Sequence, residues 1–198
     1  WRVFAPHDVT RQHYANHRVR GDNGVVTTGF PACEPLIEPI RSVESSPWKQ
    51  QEHRKKRVIY APHWLWRHDI KMATIDHFGE EMIRVAERYS DDIQWALRPH
   101  PMLRPKLTND AKWGPERTHE FFAFWSESSF SQINEDDYVP MFRTSDALIH
   151  DSGSFLAEYM YLRKPSLYLL TEDTGGKYFN AFGRAAFSAC SKAESIGE

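Results

Sequence analysis

The chain has 198 residues, with 25 Lys and Arg against 27 Asp and Glu, so its net charge is −2 with the 10 His counted neutral. That length permits one well-filled core, and the near balance of charge argues against a general nucleic-acid binder, leaving room for a local basic pocket. No signal peptide, lipidation motif or bilayer-length apolar run is visible, and Cys33 and Cys190 stand far apart outside any metal-type or redox-type pair; both features predict a reducing, cytoplasmic setting.

Residues 1 to 24 read as an N-terminal extension or interdomain segment, and 25 to 198 as one domain. The chain opens without Met, which reads as a start inside a longer protein. Trp1 to Ala5 can form a strand, and His13 and His17 can share a helix face four residues apart, but no carboxylate or Cys partner completes a ligand set, so no metal is expected. Val25 to Thr28 is a β-branched strand running into the Gly29-Phe30-Pro31 turn. Pro35 to Arg41 is expected as a short helix, and Ser42 to Arg57 as an exposed polar linker ending in the basic cluster Arg54, Lys55, Lys56, Arg57. Such a cluster is ordinarily a solvated strand entry, and its other reading is peripheral attraction to anionic lipid headgroups.

Val58 to Tyr60 is a buried strand followed by Ala61-Pro62-His63-Trp64 at its C-terminal end, the edge where ligands of open parallel sheets bind. Ile70 to Tyr89 has a helical apolar stripe. Ile93 to Leu97 is the next strand and delivers Arg98-Pro99-His100-Pro101; the prolines fix the backbone, which suits a loop that presents one side chain at a defined place. Leu103 to Trp113 reads as loop, Pro115 to Glu127 as helix, Ile133 to Tyr138 as carrying a short strand, and Tyr138 to Phe142 as a short helix. The pattern ends with Tyr178 to Cys190 as helix, after a turn-rich loop at Thr171 to Gly176.

The most informative stretch is Ala147-Leu148-Ile149-His150-Asp151-Ser152-Gly153-Ser154, continuing to Glu158 and stopped by Lys164-Pro165 before the strand Ser166 to Leu170. Strand, tight turn, helix and strand in so short a span make a parallel βαβ unit. Gly153 lets the backbone approach a ligand, and the Ser152 and Ser154 hydroxyls together with the first-turn N–H groups can face an anion. A nucleotide would place its phosphates there and its ribose hydroxyls at Glu158. The plain alternative is that Asp151 or Ser152 only caps the helix. His150, Asp151 and Ser152 are the residue types of a hydrolase triad, but adjacent positions cannot fold onto one another; no P-loop and no Gly-x-Gly-x-x-Gly is present.

These motifs resemble the C-terminal nucleotide-binding domain of GT-B-fold proteins, and most of all the CDP-glycerol glycerophosphotransferase family of teichoic acid and capsule polymerases. That family carries Asp-Tyr-Ser-Ser where this chain has Asp151 to Ser154, Thr-Gly-Tyr-Pro near Thr28 to Pro31, Tyr-Ala-Pro-Thr-Trp-Arg near Tyr60 to Leu65, and His-Pro at His100-Pro101. In the family the Thr-Gly-Tyr-Pro segment is usually followed by Arg-x-Asp, where this chain has Ala32 at the Arg position and Glu34 at the Asp position; further on His63 replaces the Thr and Leu65 the Arg, with Arg67 as a displaced basic candidate. UDP-N-acetylglucosamine 2-epimerases carry Asp-Ser-Gly-Gly with a Glu seven residues after the Asp, and Glu158 is similar to that Glu.

The resemblance implies an α/β fold: a Rossmann-like three-layer α/β/α sandwich with a mostly parallel sheet, the C-terminal half of a GT-B fold. It implies a transferase, cytoplasmic or peripheral at the inner face of the cell membrane, that moves glycerol phosphate, a related polyol phosphate or a sugar from a CDP- or UDP-activated donor to a polymer or lipid-linked acceptor, with Asp173 and Tyr178 as speculative site members near the acceptor. His100 and Asp151 are then the catalytic candidates, and Arg98, His63, Ser152, Gly153, Ser154 and Glu158 the donor-binding ones. No cofactor beyond the activated donor is called for. The general base is expected in a missing N-terminal GT-B domain, which leaves this fragment inactive alone. Nucleotide-sugar epimerisation and a non-catalytic binding module that keeps the fold are the alternatives, since a widely reused fold does not certify a reaction.

Overall fold

The computed structural model describes residues 1–17, 21, 23–39, 46–64, 72–172 and 176–196. Six strands form one sheet: β3 (Lys56–Ala61), β4 (Ile93–Leu97), β5 (Ser131–Ile133), β6 (Ala147–His150), β7 (Ser166–Leu169) and β8 (Ser191–Ala193). Their spatial order is β5-β4-β3-β6-β7-β8, and every neighbouring pair is parallel. The chain therefore lays strands outward from β3 in one direction, returns, and continues outward from β6 in the other. This is the doubly wound order of a Rossmann-like fold, with its switch point between β3 and β6.

Parallel sheets survive only with both faces covered, and successive residues of a strand point to opposite faces. The central strand shows both rules. Val58 and Tyr60 pack with Trp95, Leu97, Phe78, Met82, Phe121 and Trp125, a cluster fed by α3 (Ile75–Arg88), α4 (Leu103–Thr108) and α5 (Gly114–Glu127). Ile59 and Ala61 face the other way, onto Ala96, Met141, Phe142, Leu148 and Tyr159, under α2 (Glu34–Ile37) and α6 (Tyr138–Thr144). In α3 the apolar residues Ile75, Phe78, Met82 and Ala86 recur every three or four positions and supply the buried stripe. A third, smaller cluster of Leu156, Tyr168, Ala186 and Cys190 joins α7 (Gly153–Glu158) and α8 (Ala181–Ala189) to the far half of the sheet.

The strand expected at Val25 forms, as β2 (Val25–Thr27), but it lies outside the main sheet. It pairs in parallel with β1 (Val3–Ala5), and α1 (Asp8–His17) connects the two. Gly24 precedes it at φ +81°, and an added Cβ would meet the Trp1 carbonyl at 2.9 Å, so the turn into β2 requires glycine. The His13 and His17 rings stack in α1 at 4.2 Å between centroids, and His17 Nδ1 lies 2.8 Å from the His13 carbonyl oxygen.

Several elements differ from expectation. Leu103 to Thr108 is helix α4 instead of loop, because Leu103 and Leu107 are buried and Pro105 sits in the first turn, where a missing N–H costs no helical hydrogen bond. The strand expected at Ile133 to Tyr138 occurs earlier, at Ser131–Ile133; its polar residues are satisfied in the interior, with Ser131 Oγ donating to the Trp125 carbonyl at 2.8 Å and Gln132 Nε2 donating to the Pro47 carbonyl at 2.7 Å. The short polar strand β8 carries no apolar signal. Helix α8 begins at Ala181, where the Asn180 side chain accepts from Gly183 N at 2.9 Å. Among the described residues the expected helix near Pro35 covers Glu34–Ile37, and residues 40–45 and 65–71, with Arg67, lie outside the described residues.

The linker is also not simply exposed. Trp48 is buried in the second cluster, its indole N–H donates to Thr144 Oγ1 at 2.9 Å, and the Arg57 guanidinium lies 5.4 Å from its ring centroid. Lys55 Nζ donates to the Ser90 carbonyl at 2.6 Å, so part of the basic cluster is used within the fold. No helix among the described residues is long and apolar enough to cross a membrane. Trp48→Ala is expected to cost about 3–5 kcal/mol, the range for deleting a buried Trp. Urea unfolding measures it; a loss below about 1 kcal/mol would show that the segment is dispensable to the core.

Candidate functional site

Ligands of doubly wound sheets bind at the C-terminal ends of the strands, beside the switch point. Here that edge carries Pro62 to Trp64 after β3, Arg98 to Met102 after β4, and Asp151 to Gly153 after β6. The Asp151 carboxylate joins the first and last of these. Its Oδ1 accepts the His63 backbone N–H at 2.5 Å, and its Oδ2 accepts the Thr74 backbone N–H at 2.7 Å and the Thr74 hydroxyl at 2.9 Å. Asp151 is 1% exposed, so the carboxylate faces the interior and not the open edge. Burial raises its pKa to about 6, opposed by these hydrogen bonds. Tyr168 completes the arrangement by donating its hydroxyl to the Asp151 carbonyl at 3.0 Å.

His150, one residue earlier, is fully buried. Its Nδ1 lies 3.2 Å from the Ser152 amide nitrogen and its Nε2 3.1 Å from Ser166 Oγ, and burial lowers its pKa to about 4. It braces the turn as a neutral ring. Because Asp151 is turned toward His63 and Thr74, it does not cap α7. Ser152 is the N-cap residue and also makes no side-chain capping bond; its hydroxyl lies 3.2 Å from that of Ser154. Gly153 has no positive φ. Its lack of a side chain instead leaves space for Met72 and Phe179, whose atoms would lie 3.1 and 3.4 Å from an added Cβ.

His100 is half-buried on the β4 loop, where its backbone N–H donates to the Pro62 carbonyl at 3.3 Å. Its ring meets that of His63 at 5.2 Å and that of Trp64 at 5.5 Å, centroid to centroid. Burial lowers the pKa of both imidazoles, that of His63 to about 4, with His100 adding to the effect. Trp64 and Lys106 complete this cluster, the ammonium 5.6 Å from the indole centroid.

Arg98 and Glu158 fall into a second group. Arg98 Nη1 donates to the Asn134 carbonyl at 3.1 Å, to Asn134 Oδ1 at 3.0 Å and to the Asp136 carbonyl, so it holds the loop after β5. Its guanidinium lies 5.8 Å from the Tyr138 ring centroid. Tyr138 in turn donates its hydroxyl to Glu158 Oε2 at 2.8 Å; burial first, and then this carboxylate, raise the Tyr138 pKa and keep its proton in place. Glu158 is 8% exposed, not a solvated surface group. A cavity of about 460 Å³ opens beside Ser154 and Glu158, with Tyr178, Phe179 and Phe182 in its wall and His7 stacked on Phe182 at 4.1 Å.

The structure thus brings His63, His100 and the Asp151 tie together, and sets Arg98 with Glu158 through Tyr138. Tyr138, Thr74 and Trp64 escaped sequence reasoning; the aromatic letters beside a Pro turn and at a helix start were the only signals of Trp64 and Tyr138. Asp173 lies outside the described residues.

Sheet order, switch point and loop placement define a Rossmann-like α/β domain. Residues 3–182 match the model of the CDP-Glycerol:Poly(glycerophosphate) glycerophosphotransferase family, and the chain belongs to that family. Among solved structures it is similar to a variant of the wall teichoic acid polymerase TagF, with 19% identity, a TM-score of 0.57, and coverage of 91% of this chain and 43% of that one. It is also similar to MnaA of S. aureus solved with UDP, with 18% identity, a TM-score of 0.51, and coverage of 84% of this chain and 41% of that one. At these identities the likeness is one of fold, and the chain spans less than half the length of either protein. Comparison with curated protein sequences finds no significant match.

The buried groups set a pH dependence. His150 and His63 have folded pKa values of about 4, below the ordinary 6.5, so each contributes stability that is complete above about pH 6.5 and is lost as pH falls toward 4. Asp151 acts in the opposite sense: its folded value of about 6 lies above the ordinary one, so its contribution is complete below about pH 4 and is lost as pH rises through 6. Two imidazoles outweigh one carboxylate. Urea titrations at pH 7, 5.5 and 4.5 should show stability falling with acidification, with a shallower fall in His150→Gln; a flat profile in the parent chain would contradict neutral burial of these rings.

Proposed function

We propose that this chain is the donor-binding half of a transferase that moves glycerol phosphate, or a related polyol phosphate, from a CDP-activated donor to a growing cell-surface polymer at the cytoplasmic side of the membrane. One observation carries the reading. At the switch point the Asp151 tie sets the His63–His100 cluster beside an uncapped Ser152-Gly153-Ser154 turn, which places hydrogen-bond donors of two loops at one edge. Family membership supports the reaction class, and TagF has a solved structure with CDPG.

In this reading the diphosphate lies against His100 and the Ser152 turn, and the ribose hydroxyls lie against Glu158. The acceptor hydroxyl attacks the phosphorus that bears glycerol; the new O–P bond forms as the bond to the departing CMP breaks, and the acceptor proton passes to a base. CMP gains negative charge as it leaves. Donors already oriented at that charge stabilise the transition state without reorganising. His100 suits this role as a neutral ring that donates one N–H. Asp151 acts at one remove as a positioning residue, since its oxygens are occupied by His63 and Thr74. The base is supplied by the part of the protein these residues do not cover, so the chain binds donor and does not turn it over alone.

A second reading is epimerisation of a nucleotide sugar, which needs no acceptor; Glu158, seven residues after Asp151 as in the epimerase pattern, and the likeness to a protein solved with UDP support it. Calorimetric titration with CMP, CDP, CDP-glycerol, UDP and UDP-N-acetylglucosamine separates the two. Cytidine ligands should bind preferentially, with roughly tenfold or greater weakening in His100→Ala and in Glu158→Ala, the scale of a hydrogen bond to a charged group. Uridine preference would move the assignment to nucleotide-sugar chemistry. No binding by a folded chain would leave a non-catalytic module.

A further inference from the structure

Glu158 is a carboxylate without a cation. It is nearly enclosed, and the hydrogen bond that its Oε2 accepts at 2.8 Å comes from the neutral hydroxyl of Tyr138. Among the described residues no Lys or Arg pairs with it, and none lines the cavity that opens beside it. Its charge is felt nearby, since burial first and Glu158 second push the Cys33 thiol up. An ion this far from water is ordinarily balanced by an opposite charge. Here that balance is left to a ligand.

The cavity has the wall that an organic cation needs. It measures about 460 Å³ and collects Phe30, Tyr161, Tyr178, Phe179 and Phe182 from three separate segments; all but Phe179 are exposed, although large and apolar. Aromatic faces are negative and attract a cation, the more so where water is kept away. Tyr178 already shows the preference, with Lys177 Nζ 5.2 Å from its ring centroid. The other polar groups of the wall are largely committed: the Asn180 side chain accepts from Gly183 N at 2.9 Å, Ser154 Oγ lies 3.2 Å from Ser152 Oγ, and His7 Nδ1 lies 3.2 Å from Thr10 N. A primary ammonium brings three N–H donors and would leave some of them unmet. A methylated ammonium brings charge on an apolar surface, which rings and a single carboxylate can satisfy.

We propose that this cavity is a binding site for a quaternary ammonium group, with the Glu158 carboxylate balancing its charge and the Tyr161, Tyr178 and Phe182 rings against its methyl groups. The inference goes beyond the donor-binding reading and is compatible with it. A methylated ammonium donates no N–H, so Glu158 can attract it by charge and still accept ribose hydroxyls. The place of the cavity beside Ser154 sets the cation next to the proposed donor.

The test titrates the chain calorimetrically with choline and with tert-butylethanol, its neutral isostere in which carbon replaces the charged nitrogen. Choline should bind roughly tenfold or more tightly than the isostere. Glu158→Gln, which keeps an oxygen for the Tyr138 hydroxyl, should bring the two ligands to near parity. Tyr178→Leu changes an exposed position, keeps an apolar contact and removes the ring face; it should weaken choline roughly two- to fivefold and the isostere little. Equal affinity for the two ligands in the parent chain, or no binding of choline, would overturn the site. So would a preference for choline that survives Glu158→Gln, or, where that variant does not fold, one that is unchanged in Tyr178→Leu. CDP is titrated on the same samples: CDP binding without choline binding removes the cation site alone, and choline binding without CDP binding removes the donor-binding reading alone.

Discussion

The edge of the sheet depends on one carboxylate. Where a doubly wound sheet reverses direction, the loops leaving its two central strands diverge, and something has to hold them at a fixed separation. Asp151 does so from the end of β6 by accepting two backbone N–H groups and a hydroxyl from residues 77 to 88 positions away in sequence. Charge-assisted bonds of this kind contribute about 1.5–3 kcal/mol each, while taking an ion out of water costs several kcal/mol. The two effects are of similar size, so the carboxylate adds little net stability. What it secures is position, because any rearrangement that releases His63 or Thr74 leaves a buried donor and a buried charge unpaired at once.

That constraint explains the state of the turn beside it. An Asp just before a helix would ordinarily accept its first-turn amides; here the carboxylate is directed across the switch point, the Ser152 hydroxyl is paired with Ser154, and the Tyr168 hydroxyl takes the Asp151 carbonyl. The helix start is thereby left without a side-chain cap. The same tie fixes the backbone of His63, whose ring contacts His100, whose own backbone reaches back to Pro62. A capping residue in the usual orientation would satisfy the helix and remove the link between the loops.

The features legible in the sequence were those carried by local pattern. Buried strands showed as short β-branched or apolar runs, α3 as a periodic stripe, and His100 as a side chain between prolines. The βαβ unit around Asp151 followed from strand, turn and helix start in one stretch. Elements stabilised from afar were not legible. β5 is a strand because Gln132 and Ser131 find partners at Pro47 and Trp125, and Trp48 is core because Thr144 receives its N–H. Neither fact has a local signature. The Tyr138 to Glu158 bond spans 20 residues and depends on how α6 lies against α7, so the near-enclosure of Glu158 has no local signature either.

The site's polar groups divide by sign, and the division is physical. One end carries His100 and the uncapped Ser152 turn, and the other Glu158, whose Oε2 accepts the Tyr138 hydroxyl at 2.8 Å. In the proposed function a nucleoside diphosphate matches that order, its negative oxygens at the first end and its ribose hydroxyls at the second. Arg98, the strongest cation by type, is committed to the second end, where it binds the Asn134 and Asp136 carbonyls and lies over Tyr138. In the proposed function its charge therefore acts by fixing the loop beside the nucleoside. In the proposed function the diphosphate is met instead by the hydrogen-bond donors of His100 and the Ser152 turn.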